Sequence, residues 1–174
     1  MADFIYAEVE RILKKYGTRD PFALLDAMGA VTRISQGYPR DGLKGYCTVL
    51  NRCSYAVING KLGETDRKVA AGHEAAHLIL HRERIMSSPV KAMRDFNLYD
   101  SSGVAEREAN SFLADFLVPD EEVLDAVASG QDYFSAASGL YVPAPLLAFK
   151  LYSMMRRGCP VRGPADLDST FLSR

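Results

Sequence analysis

A chain of 174 residues is long enough for one well-filled hydrophobic core and short for two, so a single domain over 1–160 with a C-terminal tail at 161–174 is expected. Its composition, 48% hydrophobic and 25% charged, is that of an ordinary globular protein, and a net charge of −1 argues against the basic face that direct nucleic-acid binding requires. No apolar run approaches the roughly eighteen residues needed to span a bilayer, and Met1-Ala2-Asp3-Phe4 lacks the segments of an export signal. A cytoplasmic protein with no membrane partner is expected. Cys47, Cys53 and Cys159, odd in number and without C-x-x-C spacing, fit reduced thiols.

Taken in order, Phe4 to Tyr16 carries Phe4, Ile5, Val9, Ile12 and Leu13 at helical spacing. Gly17 ends it. Asp20-Pro21 supplies an N-cap followed by proline at the first helical position, starting a short helix closed by Gly29. Val31 to Ile34 is a β-branched strand, and Tyr46 to Leu50 with Tyr55 to Ile58, either side of Asn51 to Ser54, reads as a β-hairpin. Three short strands therefore precede the next helix, and the fold class expected is α+β, mostly helical, with a small three-stranded sheet packed on that helix.

Residues Glu64 to Leu80 contain no proline, begin acidic (Glu64, Asp66) and run into His81 and Arg82, the charge order that the helix dipole favours. From Val69 onward the residues are apolar nearly all round, as in a buried helix. All three histidines of the chain fall within nine residues here: His73-Glu74-Ala75-Ala76-His77, then His81 just past the helix. Positions i and i+4 share a helix face, so His73 and His77 can turn their imidazoles to one point, the spacing that zinc accepts from a single helix. Glu74, about 100° round the axis, is placed to act on a water at such a metal. Burying these groups without partners costs several kcal/mol, and a metal satisfies them most simply.

Between Arg82 and Gly103 periodicity is poor and breakers recur, which predicts a loop able to cover the site as a lid. Helices follow at Val104 to Leu117, from Glu121 with Asp120 as cap, at Tyr133 to Ser138 and at Leu146 to Arg157. Lys150, Arg156, Arg157 and Arg162 read as a solvated helix face and tail.

A catalytic zinc takes three protein ligands and leaves a position for water. His81 is excluded as the third, because roughly 12 Å of helix axis separates it from His73 at about 1.5 Å per residue. Glu106 and Glu108 are the other candidates. Glu106 shares its face with Ala109, Asn110, Leu113 and Leu117, a mostly apolar inward stripe. Glu108 shares its face with Ser111, Phe112 and Asp115, so the pattern favours Glu106 while Phe112 keeps Glu108 open.

The run His73 to His81, followed by Glu106-Arg107-Glu108-Ala109-Asn110-Ser111-Phe112-Leu113-Ala114-Asp115-Phe116-Leu117-Val118-Pro119, resembles the ImmA/IrrE family of metallo-endopeptidases. That family carries H-E-x-x-H and a second helix of the form E-x-x-A-N-x-F-A-x-x-L-L-x-P. Leu113 and Phe116 depart from the pattern and stay apolar. The resemblance covers Val69 to Pro119 and implies a zincin-like core, zinc ligands His73, His77 and Glu106, and Glu74 as general base. It further implies an intracellular zinc endopeptidase that cuts a DNA-binding repressor of a phage or mobile element. A helix-turn-helix repressor would be a separate protein, since the chain has no room for that domain.

In that expectation zinc lowers the pKa of its water to about 7, and Glu74 takes the proton and returns it to the leaving amine. The hairpin edge from Tyr46 to Ile58 is the expected place for an extended peptide to add, and Tyr99 or Tyr46 are candidates for stabilising the oxyanion. The alternative is a regulatory module that keeps zinc and acts by association without cutting, against which the intact Glu74 argues.

Overall fold

The computed structural model describes residues 2–163. Its contacts gather into two compact units, Tyr16–Asp100 and Met1–Lys15 with Ser101–Arg174. Each is described by itself.

The first unit holds all the strands. Helix α2 (Pro21–Ala27) starts as its sequence dictates, with Asp20 Oδ1 accepting from Ala23 N at 2.8 Å and proline at the first turn. Strands β1 (Val31–Ser35), β2 (Gly45–Leu50), β3 (Cys53–Asn59) and β4 (Ala92–Asp95) form one sheet in the order β1-β3-β2-β4. β1 runs parallel to β3, whereas β2 is antiparallel to both β3 and β4. Asn51 and Arg52, both at positive φ, make a two-residue connection whose twist suits a tight hairpin. Arg82 pins that turn, donating to Ser54 Oγ at 2.5 Å and to Arg52 O at 2.8 Å.

Helix α3 (Glu64–Leu80) packs against β2 and β3, and every residue from Val69 to Leu78 is buried. Because side chains alternate across a strand, Gly45, Cys47 and Val49 are buried on one face of β2, while Tyr46 and Thr48 take the other. The short helix α4 (Arg82–Ser87) follows α3 directly and packs on β2.

The second unit contains helices α1 (Ala2–Tyr16), α5 (Val104–Leu117), α6 (Asp120–Ala128), α7 (Tyr133–Gly139) and α8 (Ala144–Arg156). Val118, Val123, Ala137, Leu147, Leu151, Met154 and Val161 form one buried cluster. Beside it runs a chain of ions. Lys150 Nζ lies 2.9 Å from Asp115 Oδ1 and 2.5 Å from Asp120 Oδ1, Ser153 donates to Asp115 Oδ2 at 2.6 Å, and Arg157 grips both oxygens of Asp120 at 2.6 and 2.9 Å. The Arg157 guanidinium also stacks 3.7 Å over the Tyr6 ring.

Several expectations need correction. The sheet has four strands, not three, and the stretch from 82 to 103, expected to be a loop, contains α4 and β4. Ala92-Met93-Arg94-Asp95 has no β-branched residue, so its strand character comes from pairing with β2 and not from propensity. That pairing also covers one side of the hairpin and β1 covers the other, so the hairpin offers no free edge for a peptide. Lys150 is buried, only 1% exposed, and Arg157 is largely covered: neither belongs to a solvated face. Asp120 does not cap α6, since Pro119 holds the cap position and the Asp120 carboxylate turns to Lys150 and Arg157. Val161, placed in the tail by its sequence, packs in the cluster, and the tail from 164 onward lies outside the described residues.

Candidate metal centre

The centre lies on the face of α3 that meets the sheet. His73, Glu74 and His77 are all 0% exposed. His73 Nε2 and His77 Nε2 stand 3.0 Å apart, their rings at 80° to each other. A tetrahedral ion with bonds of about 2.0–2.1 Å spaces its ligand atoms by about 3.3 Å, so this convergence suits a shared metal. Behind His77, Nδ1 faces His81 Nδ1 at 2.9 Å. A His77 that ligates through Nε2 carries its proton on Nδ1, and His81 is then the acceptor that fixes this tautomer and the ring's orientation. His81 therefore supports the centre from the C-cap of α3, a role that the distance argument excluding it as a ligand did not reveal.

Glu74 points to the sheet. A Cβ built on Gly45 would lie 2.5 Å from Glu74 Oε1, so the carboxylate occupies the room that the glycine leaves on β2. Two residues along the same face lies the buried Cys47 thiol, and burial, followed by the charge of the Glu74 carboxylate, raises its pKa well above its usual value. Gly45 and Cys47 thus form the wall that holds Glu74. Sequence reasoning gave neither a role; the signal was a glycine within a strand, which often marks a close approach.

One residue arrives unannounced. Asp95 ends β4 directly opposite Gly45 in the β2 register. Its Oδ1 lies 3.5 Å from His73 Nε2 and 3.9 Å from His77 Nε2. The residue is only 4% exposed, and its Oδ2 has no hydrogen-bond partner. Two imidazole nitrogens and a carboxylate oxygen, buried together with one orphaned polar atom, are a donor set that suits a divalent transition metal.

Glu106 stands in the first turn of α5, in the other unit, and is half-buried, as is Glu108, so burial does not separate the two. Of the tyrosines, Tyr46 sits on the face of β2 opposite the one that meets Glu74. The buried hydroxyl of Tyr99 has its pKa raised by burial and then by Asp66, near the start of α3, and nothing directs it to the histidines.

Residues 55–152, more than half of the chain, match the family described as the IrrE N-terminal-like domain, a family of peptidases. The chain belongs to that family. This IrrE-like chain is also 31% identical over 116 residues to a protein named uncharacterized immunity region protein 2, from Bacillus phage phi105, covering 67% of the chain and 69% of that relative. No solved structure matches significantly. The α+β architecture agrees with a zincin-like fold, metallopeptidase chemistry is that of the family, and the buried histidine and carboxylate group fits it. Among the described residues no single helix is long and apolar enough to cross a membrane.

Proposed function

We propose that this IrrE-like chain is a zinc-dependent endopeptidase that cuts a peptide bond in a protein partner, a separate helix-turn-helix repressor of a phage or mobile element. The observation that carries the reading is the 3.0 Å convergence of His73 Nε2 and His77 Nε2 on a helix whose intervening Glu74 carboxylate is buried against β2 and withheld from solvent. Glu106 is assigned as a further ligand from the second-helix signature it opens, Glu106 to Pro119, and from family membership. The phage relative's name, an immunity region protein, supports a repressor as partner.

Bound at this centre, zinc supplies a Lewis acid for the scissile carbonyl and makes water acidic enough to be deprotonated near neutral pH. The chain's own residues do the rest. His73 and His77 present Nε2 lone pairs, with His81 holding the tautomer of His77. Glu74 accepts a proton from the attacking water and delivers it to the leaving amine. An extended substrate segment adds along the unpaired side of β4, the edge next to the histidines, replacing the hairpin edge that the fold covers.

A regulatory module that keeps metal without cutting gives Glu74 no use and leaves the cost of burying it unexplained. The test uses the Glu74→Gln variant as a trap. It should retain zinc and capture a protein that the unaltered enzyme cleaves and the variant does not. A captured partner left intact by the zinc-loaded wild type, with full biological function in Glu74→Gln, would contradict the peptidase reading and favour the module.

A further inference from the structure

We propose that Asp95 is itself a direct metal ligand, so that the strand unit supplies a His73–His77–Asp95 site from its own residues. The proposal rests on the metallopeptidase reading and deepens it, because the H-E-x-x-H helix and its downstream glutamate do not include this residue.

A carboxylate that only orients a ligating histidine bonds the ring nitrogen turned away from the metal. For His77 that nitrogen is Nδ1, and His81 already holds it. Asp95 Oδ1 instead approaches the Nε2 atoms of both histidines, at 3.5 and 3.9 Å, the side on which their lone pairs converge. A tetrahedron built on bonds of about 2.0–2.2 Å to nitrogen and carboxylate oxygen has edges of about 3.3–3.6 Å, so the 3.5 Å separation from His73 matches and the 3.9 Å separation from His77 lies a few tenths of an ångström beyond. The placement is built into the fold: β4 pairs with β2 so that Asp95 lies opposite Gly45, on the face that meets α3. The orphaned Oδ2 is a second observation. A buried carboxylate oxygen without a partner is costly, and an ion beside it removes that cost.

The experiment measures zinc affinity by chelator competition, and the visible spectrum of the cobalt form, for the wild type, Asp95→Asn, Asp95→Ala and Glu106→Gln, each checked for folding by circular dichroism. Loss of a direct ligand should exceed the about 10–100-fold cost of losing an orienting partner, so the Asp95 variants should weaken zinc by more than about 100-fold and shift the cobalt band. As a readout that needs no mutation, the carbon-13 resonance of the Asp95 carboxylate in the wild type should move on stoichiometric zinc addition. Zinc affinity within about threefold of wild type, far below that orienting cost, together with an unchanged cobalt band, or a stationary Asp95 resonance, would overturn the assignment while leaving the metallopeptidase reading intact. A folded wild type that binds neither metal would remove both.

Discussion

The molecule buries two polar groups in opposite ways. In the helical unit, Lys150, Asp115, Asp120, Ser153 and Arg157 alternate donor and acceptor at 2.5 to 2.9 Å, cation against anion, with the cluster of Leu147, Leu151 and Met154 alongside. In the strand unit, two histidines and an aspartate bring lone pairs to one point, and one buried oxygen finds no partner. In the first group every carboxylate meets a cation, with only Arg157 Nε left without a partner, and it reads as architecture. The second leaves a buried carboxylate oxygen that a cation would satisfy, and reads as a site. Burial of charge is therefore a poor guide to function by itself; what matters is whether donors meet acceptors or acceptors meet one another.

That contrast is most severely tested by breaking the ion network. Lys150→Ala removes the cation closest to Asp115 in the core, and removing one partner of a buried pair costs about 3–5 kcal/mol; urea unfolding should show a loss approaching that size that zinc does not restore. In the strand unit the stabilisation should instead depend on the ion. Zinc at about a thousand times its dissociation constant adds about 4 kcal/mol to a protein that binds it only when folded, and His73→Ala should abolish that gain in a thermal melt. His81→Ala is milder: it frees the His77 ring and should weaken zinc by about 10–100-fold, the usual cost of an orienting partner, as read by chelator competition. Gly45→Ala introduces a Cβ 2.5 Å from Glu74 Oε1. It should cost about 1–3 kcal/mol from overpacking and depress peptide cutting while zinc content stays full.

The smallest effect is one of pH. Burial alone would raise the Asp120 carboxyl, but its hydrogen bonds to Arg157 and Lys150 outweigh burial and hold it down to about 2. The unfolded value is about 3.9, so the folded chain binds fewer protons across that window. The network's contribution is thus fully present above about pH 4 and lost as pH falls through 2. Stability measured against pH should drop in that window, and the drop should shrink in Asp120→Asn.

The histidine helix was legible because its spacing, its charge order and its apolar surround agree, and each is a local property of Glu64 to Leu80. The cap of α2 was legible for the same reason, since Asp20 bonds an amide three residues on, whereas the Asp132 cap of α7 was not singled out. β4 was not, because Ala92 to Asp95 becomes a strand only through its partner β2, more than forty residues earlier. Asp95 shared that fate: an isolated aspartate before Phe96 has no spacing to betray it, and only the register opposite Gly45 carries it to the histidines. Lys150 and Asp120 were misjudged because a charge is expected at the surface, and the pairing that makes burial tolerable spans 30 residues. Glu106 remains a sequence-borne assignment, since it rests on the signature of α5.

The central claim is that His73 and His77 jointly hold a metal ion, and metal analysis of the purified protein tests it most directly. Wild type, His73→Ala, His77→Ala, Glu106→Ala and Glu108→Ala would be purified alike, checked for folding and assayed for bound zinc. The account predicts one zinc per wild-type chain, none in either histidine variant, weakened binding in Glu106→Ala and wild-type binding in Glu108→Ala. A folded wild type that stays free of metal when zinc is supplied, or histidine variants that hold zinc as well as it does, would contradict it.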